Sequence, residues 1–228
     1  ILAALLLPAL ARSREKSLSI QCLSNLRQWG LGYRMYADDN NGTLVANLPQ
    51  PATEPAWVVG EITSPAQATN QAIIRQGRLF PYIVNPAVFR CPADTAQVDG
   101  VPRVLSYAMN GWMGSRTMDA RTQAANGSAY RTFVREAELT VIAATARLWV
   151  LADEDASTLN DGWFLVTMDD AQPFASFPGL RHQRGGGMNF ADGHTELFKL
   201  RSPDSVPGKQ VSPANPDWLR LKPMTTER

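Results

Sequence analysis

The chain has 228 residues, with 22 Lys+Arg against 21 Asp+Glu, so its formal net charge is +1. That balance excludes the strongly basic surface of a nucleic-acid binder and the acidic composition of a disordered tail, and no nucleic-acid partner is expected. Two Cys and two His exclude a four-cysteine zinc finger or iron–sulfur cluster, while 16 Gly and 16 Pro imply many loops around one core.

The chain opens with the wholly apolar run Ile1-Leu2-Ala3-Ala4-Leu5-Leu6-Leu7-Pro8-Ala9-Leu10-Ala11. The run is shorter than the roughly 20 residues a membrane-spanning helix needs. It reads as the end of a longer apolar segment. Arg12, Arg14 and Lys16 follow at once, the pattern of a membrane segment meeting water. Helical periodicity then continues through Leu18, Cys22, Leu26, Trp29, Tyr33 and Tyr36, one stripe of an amphipathic helix. The spacing predicts a helix over 1–37, ended by the turn formers Asp38-Asp39-Asn40-Asn41-Gly42. Such a helix is about 50 Å long, more than a head of this size can bury. Its first third must project into lipid or into copies of itself. Pro8 is expected to kink or loosen it.

The head spans 38–228. Ser64-Pro65 predicts an N-cap and a helix over Ala66–Gln76, closed by Gly77. Leu79–Val84 and Val88–Asp94 read as Pro-punctuated extended segments. Arg116–Tyr130 reads as a surface loop, carrying Asn126-Gly127-Ser128, and Arg131–Leu139 as a short helix. Strands are predicted at Arg147–Ala152, Trp163–Met168, Gly187–Ala191 and His194–Lys199, the last two joined by the hairpin signal Asp192-Gly193. The fold class is therefore α+β, with the long N-terminal helix laid on one face of an antiparallel sheet. The segment 202–228, with Pro203, Pro207, Pro213, Pro216 and Pro223, reads as an extended tail without regular structure.

Several phrases carry a resemblance. Cys22-Leu23-Ser24-Asn25-Leu26-Arg27-Gln28, Met35-Tyr36-Ala37-Asp38-Asp39-Asn40-Asn41-Gly42, Leu79-Phe80-Pro81-Tyr82, Phe89-Arg90-Cys91-Pro92 and Ser106-Tyr107-Ala108-Met109-Asn110-Gly111-Trp112-Met113 lie along most of the chain. So does His182 followed by nine residues and Asp192-Gly193, with Gly185-Gly186-Gly187 inside. Together they resemble a bacterial branch of prepilin-type proteins, the type IV pilins and type II secretion pseudopilins. Ile1–Ala11 resembles the second half of that family's membrane segment. The family's processing site, its first Phe and the Glu that follows have no counterpart here. The resemblance implies a pilin-like fold and a structural, non-enzymatic subunit of a pilus or pseudopilus. It implies a single-pass inner-membrane precursor, processing and N-methylation, partners in the assembly machinery, and self-assembly into a cell-surface filament. Ile1, Leu2, Leu5, Leu6, Leu7, Pro8 and Leu10 would form the filament core. In an exported chain Cys22 and Cys91 are expected to form a disulfide, the alternative being two buried free thiols. A second reading of the whole is a membrane-anchored extracellular module that binds carbohydrate or protein without polymerising.

The region from Asp153 to Gly193 leaves three readings open. In the first, His182 bonds a carboxylate or backbone carbonyl and holds the Gly185–Gly187 loop against the Asp192-Gly193 hairpin, the glycines giving positive φ or close approach. In the second, Asp153, Glu154, Asp161 and Asp192 form a calcium-like site of hard oxygen ligands. In the third, His182 and a carboxylate act in catalysis, for which the sequence offers no nucleophile motif. The branch often carries His where this chain has Asp155, so a nitrogen-rich site is not expected.

Overall fold

The computed structural model describes residues 2–50, 52, 54–114, 130–140, 145–170 and 172–227. The predicted loop at 116–130, including Asn126, lies outside the described residues except for Tyr130. The first element, α1, runs unbroken over Leu2–Asp39, through Pro8. Its 38 residues give a rod of about 57 Å at ~1.5 Å per residue. It stops where the turn formers begin: Asn41 and Gly42 take left-handed φ of 56° and 72°, and Gly42 N–H donates to Ala37 O at 2.8 Å. Of the predicted stripe, Cys22, Leu26, Trp29 and Tyr33 are buried and Leu18 and Tyr36 are half-buried.

The predicted helix over 66–76 is two short ones, α2 (Pro65–Ala68) and α3 (Ala72–Arg75). Continuation would need Ala72 N–H to donate to Ala68 O. Instead Ala68 O accepts Val104 N–H at 2.9 Å, and Ala72 N–H turns to Asn70 Oδ1 at 2.9 Å. The segments expected to be extended also coil, into α4 (Phe80–Ile83) and a 3₁₀ turn (Pro86–Phe89). Pro81 and Pro86 sit in first turns, where a missing N–H costs nothing, and Asn85 caps the second through Ala87 N–H at 3.0 Å. A further short helix, α5 (Glu136–Thr140), overlaps the second half of the expected 131–139 and runs one residue past it.

A two-stranded hairpin, β1 (Gln97–Val98) and β2 (Val101–Pro102), precedes the main sheet. That sheet comprises β3 (Tyr107–Asn110), β4 (Trp149–Asp153), β5 (Trp163–Phe164), β6 (Gly185–Phe190) and β7 (Thr195–Lys199), in the order β5-β3-β4-β6-β7. Three of its pairings are antiparallel; β5 runs parallel to β3, so the sheet is not wholly antiparallel. The β6–β7 hairpin turns at Asp192-Gly193, with Asn189 opposite Thr195 and Gly193 at φ 92°. The fold is α+β, with α1 packed across β6 and β7.

The closing segment departs from the expected extended tail. Pro216 opens α6 (Pro216–Leu221), and Asn215 caps it by accepting from Asp217 and Trp218 N–H. Trp218 and Asp217 are fully buried. Asp217 accepts from Arg201 N–H, Ser202 N–H (2.8 Å) and Ser205 Oγ (2.8 Å), tying the end of the chain to the exit of β7. Thr225 accepts Trp149 Nε1–H at 3.0 Å and Asn110 Nδ2 reaches Thr225 O at 2.8 Å, so this segment closes the core behind β3 and β4. Pro-rich spacing forbids a long helix but favours a short one with Pro at its first position.

Asp217→Ala strands the buried Ser202 N–H and Ser205 hydroxyl and the part-buried Arg201 N–H, and is expected to cost about 3 kcal/mol, at ~1–3 kcal/mol per unmade bond. Urea unfolding followed by tryptophan fluorescence measures it; an unchanged midpoint would mean that the closing segment contributes nothing to the core.

Candidate functional site

Two features of the structure stand apart from ordinary core and surface. The first is the forward part of α1. Leu6, Leu7 and Leu10 are 67%, 66% and 70% exposed, and residues 11–14 are exposed as well. Ile20, Leu31 and Met35 extend the exposed apolar set along the helix. Among the described residues, no helix is long and apolar enough to cross a membrane.

The second lies where α1 first meets the head. Tight contact between helix and sheet requires small residues on both partners. A Cβ at Gly187 would fall 2.4 Å from Leu26 Cδ1 and 3.2 Å from Cys22 Sγ, and one at Gly30 of the helix would fall 2.6 Å from Asn189 Nδ2. The glycine triplet thus serves close approach; none of Gly185, Gly186 and Gly187 has a positive φ. This approach drives Cys22 down to the sheet, where its Sγ lies 3.4 Å from Tyr107 Oη.

Four side chains from four separate places converge there: Cys22 of α1, Cys91 after the 3₁₀ turn, Asp153 at the end of β4, and His182 in the turn before β6. One ligand atom from each lies within 4.8 Å of all the others, and all four residues are buried. Cys91 Sγ is 3.2 Å from His182 Nε2, and the other ring nitrogen, Nδ1, is 3.1 Å from Ser19 Oγ. The turn is held by His182 N–H to Gly185 O at 3.0 Å, and by Lys199, whose ammonium donates to His182 O. Asp153 Oδ1 pairs with Arg181, which also reaches Asp94 Oδ2 at 3.1 Å; Ser106 Oγ donates to that same Asp94 oxygen at 2.5 Å. Asp153 Oδ2 is buried and has no hydrogen-bond partner. Burial pushes the Asp153 carboxyl up to about 6, against the attraction of Arg181 and His182. The neighbouring Cys22 thiol, together with burial, pushes the Cys91 thiol far above its ordinary range.

Cys22 and Cys91 are therefore free thiols, not the expected disulfide. The pairing in space is as expected, but Tyr107 and His182 engage the two sulfurs instead. His182 is structural in part, though its ring meets a hydroxyl and a thiol and not a carboxylate or carbonyl.

The calcium-like set is not assembled. Among the described residues, the one group of three or more metal-binding side chains is Cys22, Cys91, Asp153 and His182. The other three carboxylates are committed locally. Glu154 accepts from Thr158 Oγ1 at 2.9 Å through Oε1, while its buried Oε2 has no hydrogen-bond partner. Asp161 accepts Gln50 N–H at 3.0 Å and Trp163 N–H at 2.7 Å, while burial pushes its carboxyl up. Asp192 closes the hairpin through His194 N–H at 3.0 Å and the His194 ring at 2.6 Å, which together hold its carboxyl low despite partial burial. Asp155 faces its own turn, accepting Ser157 N–H and Oγ.

The sequence reading named Cys22, Cys91, Asp153 and His182 but assigned them to three different roles. It missed Ser19, Asp94, Tyr107 and Arg181, which no spacing motif marks. The Cys91–His182 contact has the composition of a nucleophile and base, and both side chains are buried. The chain matches no protein-family model, no curated protein and no solved structure.

Gly187→Ala forces Leu26 and Cys22 away from the sheet. Overpacking of this kind typically costs about 1–3 kcal/mol. The urea midpoint should fall accordingly, and an unchanged midpoint would mean that the helix does not rest on β6 as tightly as the contacts imply.

Proposed function

We propose that this chain is a structural subunit of a helical cell-surface filament of the type IV pilin or pseudopilin kind, assembled through its N-terminal helix. The observation that carries this reading is the exposed leucine set Leu6, Leu7 and Leu10 on a helix whose second half is docked firmly on the head. Full burial of a leucine side chain is worth roughly 1.5–3 kcal/mol relative to exposure. Bundling such helices along a common axis therefore stabilises each added subunit by several kcal/mol. The contacts are heterologous: the front of one helix meets the flank of another, and repetition without closure generates a fibre. Ile20, Leu31 and Met35, exposed on α1, give the neighbours an apolar surface to meet. Before assembly, the same apolar front sits in the inner membrane and is handled by the assembly machinery. The resemblance noted in the sequence points the same way, and the proposed role needs no catalysis.

The competing reading, a monomeric binding module on a membrane anchor, calls for an open aromatic pocket beside His182. That residue is buried beneath Ser19 and Cys91, so the observation favours the filament.

The test is electron microscopy of a fraction sheared from cells carrying the native protein or the double variant Leu6→Asp, Leu10→Asp. The native chain should yield filaments with subunits in helical array. The variant should yield none while its head keeps the native urea midpoint. Filaments from the variant, or native protein found only as single copies in the membrane, would overturn the proposal.

A further inference from the structure

Beneath α1, four buried side chains that can each ligate a metal converge from four separate places in the chain. We propose that Cys22, Cys91, Asp153 and His182 bind one zinc-class divalent ion, which staples the long helix to the sheet. This site is independent of the filament reading.

Four observations converge. The donors are two sulfurs, one imidazole nitrogen and one carboxylate oxygen, all within 4.8 Å of one another. Zinc bonds of about 2.0–2.3 Å place neighbouring donors of a tetrahedron roughly 3.3–3.8 Å apart, so sub-ångström side-chain shifts complete the shell. Cys91 and His182 are already at 3.2 Å. Asp153 Oδ2 is fully buried and makes no hydrogen bond, and an orphaned buried oxygen is costly.

The surrounding shell has the form that metal sites use to fix their ligands. Ser19 Oγ occupies His182 Nδ1 and leaves Nε2 toward the sulfurs. Arg181 holds Asp153 by Oδ1 and leaves Oδ2 free, and Asp94 holds Arg181 in turn. Tyr107 Oη lies against Cys22 Sγ. On binding, both thiols release their protons to solvent and ligate as thiolates. The two thiolates and the Asp153 carboxylate then carry three negative charges; the ion's two positive charges meet two of them, and Arg181, which Asp94 shares, faces the third. An open groove of about 450 Å³, lined by Gln21, Asn25, Arg90 and Cys91 among others, runs alongside the cluster and gives a route in from solvent.

The choice of metal follows from the donors. Thiolate sulfur and imidazole select zinc and its soft neighbours, whereas calcium takes six to eight hard oxygens. The ligands close the shell, so the site is structural and leaves no position for a substrate.

The experiment uses the full chain, purified under reducing conditions in detergent, stripped with a chelator and titrated with Co²⁺ and then Zn²⁺. One equivalent of Co²⁺ should give the thiolate charge-transfer band and the strong visible bands of tetrahedral cobalt, and Zn²⁺ should bleach them at a one-to-one ratio. Zn²⁺ should also raise the melting temperature. Cys91→Ser, and separately Asp153→Asn, should weaken Zn²⁺ binding roughly a hundredfold or more. Ser19→Ala should weaken it by about tenfold, the usual effect of losing an outer-shell partner. Should a ligand variant not fold, His182→Cys, which supplies a different competent donor, should still bind one equivalent, with a shifted cobalt spectrum. Absence of a cobalt–thiolate band in the reduced, folded native chain would overturn the proposal. So would a Cys22–Cys91 disulfide and no bound metal in protein taken directly from its cells.

Discussion

The close approach of α1 to the backbone of β6 is the constraint on which the rest of the molecule turns. Gly187 on the strand and Gly30 on the helix remove the side chains that would otherwise hold the two apart. The stripe of Cys22, Leu26, Trp29 and Tyr33 then sinks fully into the head. Trp29 stacks on Tyr33 with centroids 5.2 Å apart and meets Trp57 edge-on at 5.5 Å, so one helical face organises the aromatic core on that side of the sheet. The same approach brings Ser19 and Cys22 within reach of His182 and Tyr107. Without the glycines, the helix would still dock on a hydrophobic surface, but its polar atoms would stop short of the sheet's.

A second layer of order comes from buried charge. Arg103 is largely buried and donates to the carbonyls of Ala156, Ile62 and Leu159, gathering two loops beside the sheet edge. Arg181 does the same work closer to the helix, bridging Asp153 and Asp94 and donating to Glu154 O at 2.9 Å. Buried ion pairs give little net stability, because desolvation offsets attraction. Their consequence here is positional. Loops rich in Gly and Pro have few backbone bonds of their own, and arginine's five donors fix them relative to β4 and β6.

Periodicity and punctuation made the large features legible in the sequence. The helix, its end at Asn41-Gly42 and the Asp192-Gly193 hairpin are local, because each depends on residues a few positions apart. What was not legible depends on distant partners. The break between α2 and α3 follows from Val104 taking the Ala68 carbonyl, a contact across the fold. The strand β3 reads poorly because Tyr107-Ala108-Met109-Asn110 is buried on both faces and has no alternation. Its parallel partner β5 is two residues long. The hairpin of β1 and β2 turns on Asp99-Gly100, but its strands are two residues each and carry no alternation to mark them. At the cluster, the two cysteines stand out in the sequence as a pair and Asp153 and His182 each for another role, yet the four come from four separate places in the fold. No C-x-x-C or H-x-x-x-H spacing announces them, and only the docked helix brings them together.

Position along the helix connects the cluster to the proposed assembly. Residues 6–14 are exposed, Leu18 and Ser19 are half-buried, and from residue 6 onward Cys22 is the first fully buried position. The cluster therefore sits at the boundary between the free and the docked halves of α1. In a filament of the proposed kind, load passes from the bundled front of the helix to the head through that boundary. Apolar contacts resist sliding weakly, because one methyl can replace another with little loss. A bond network that includes Cys22 and Ser19 on the helix and Cys91, Asp153 and His182 on the head is directional and fails only as a unit. A staple at the first buried turn blocks peeling where peeling would begin. The same staple placed near Tyr36 would act only after most of the interface had opened.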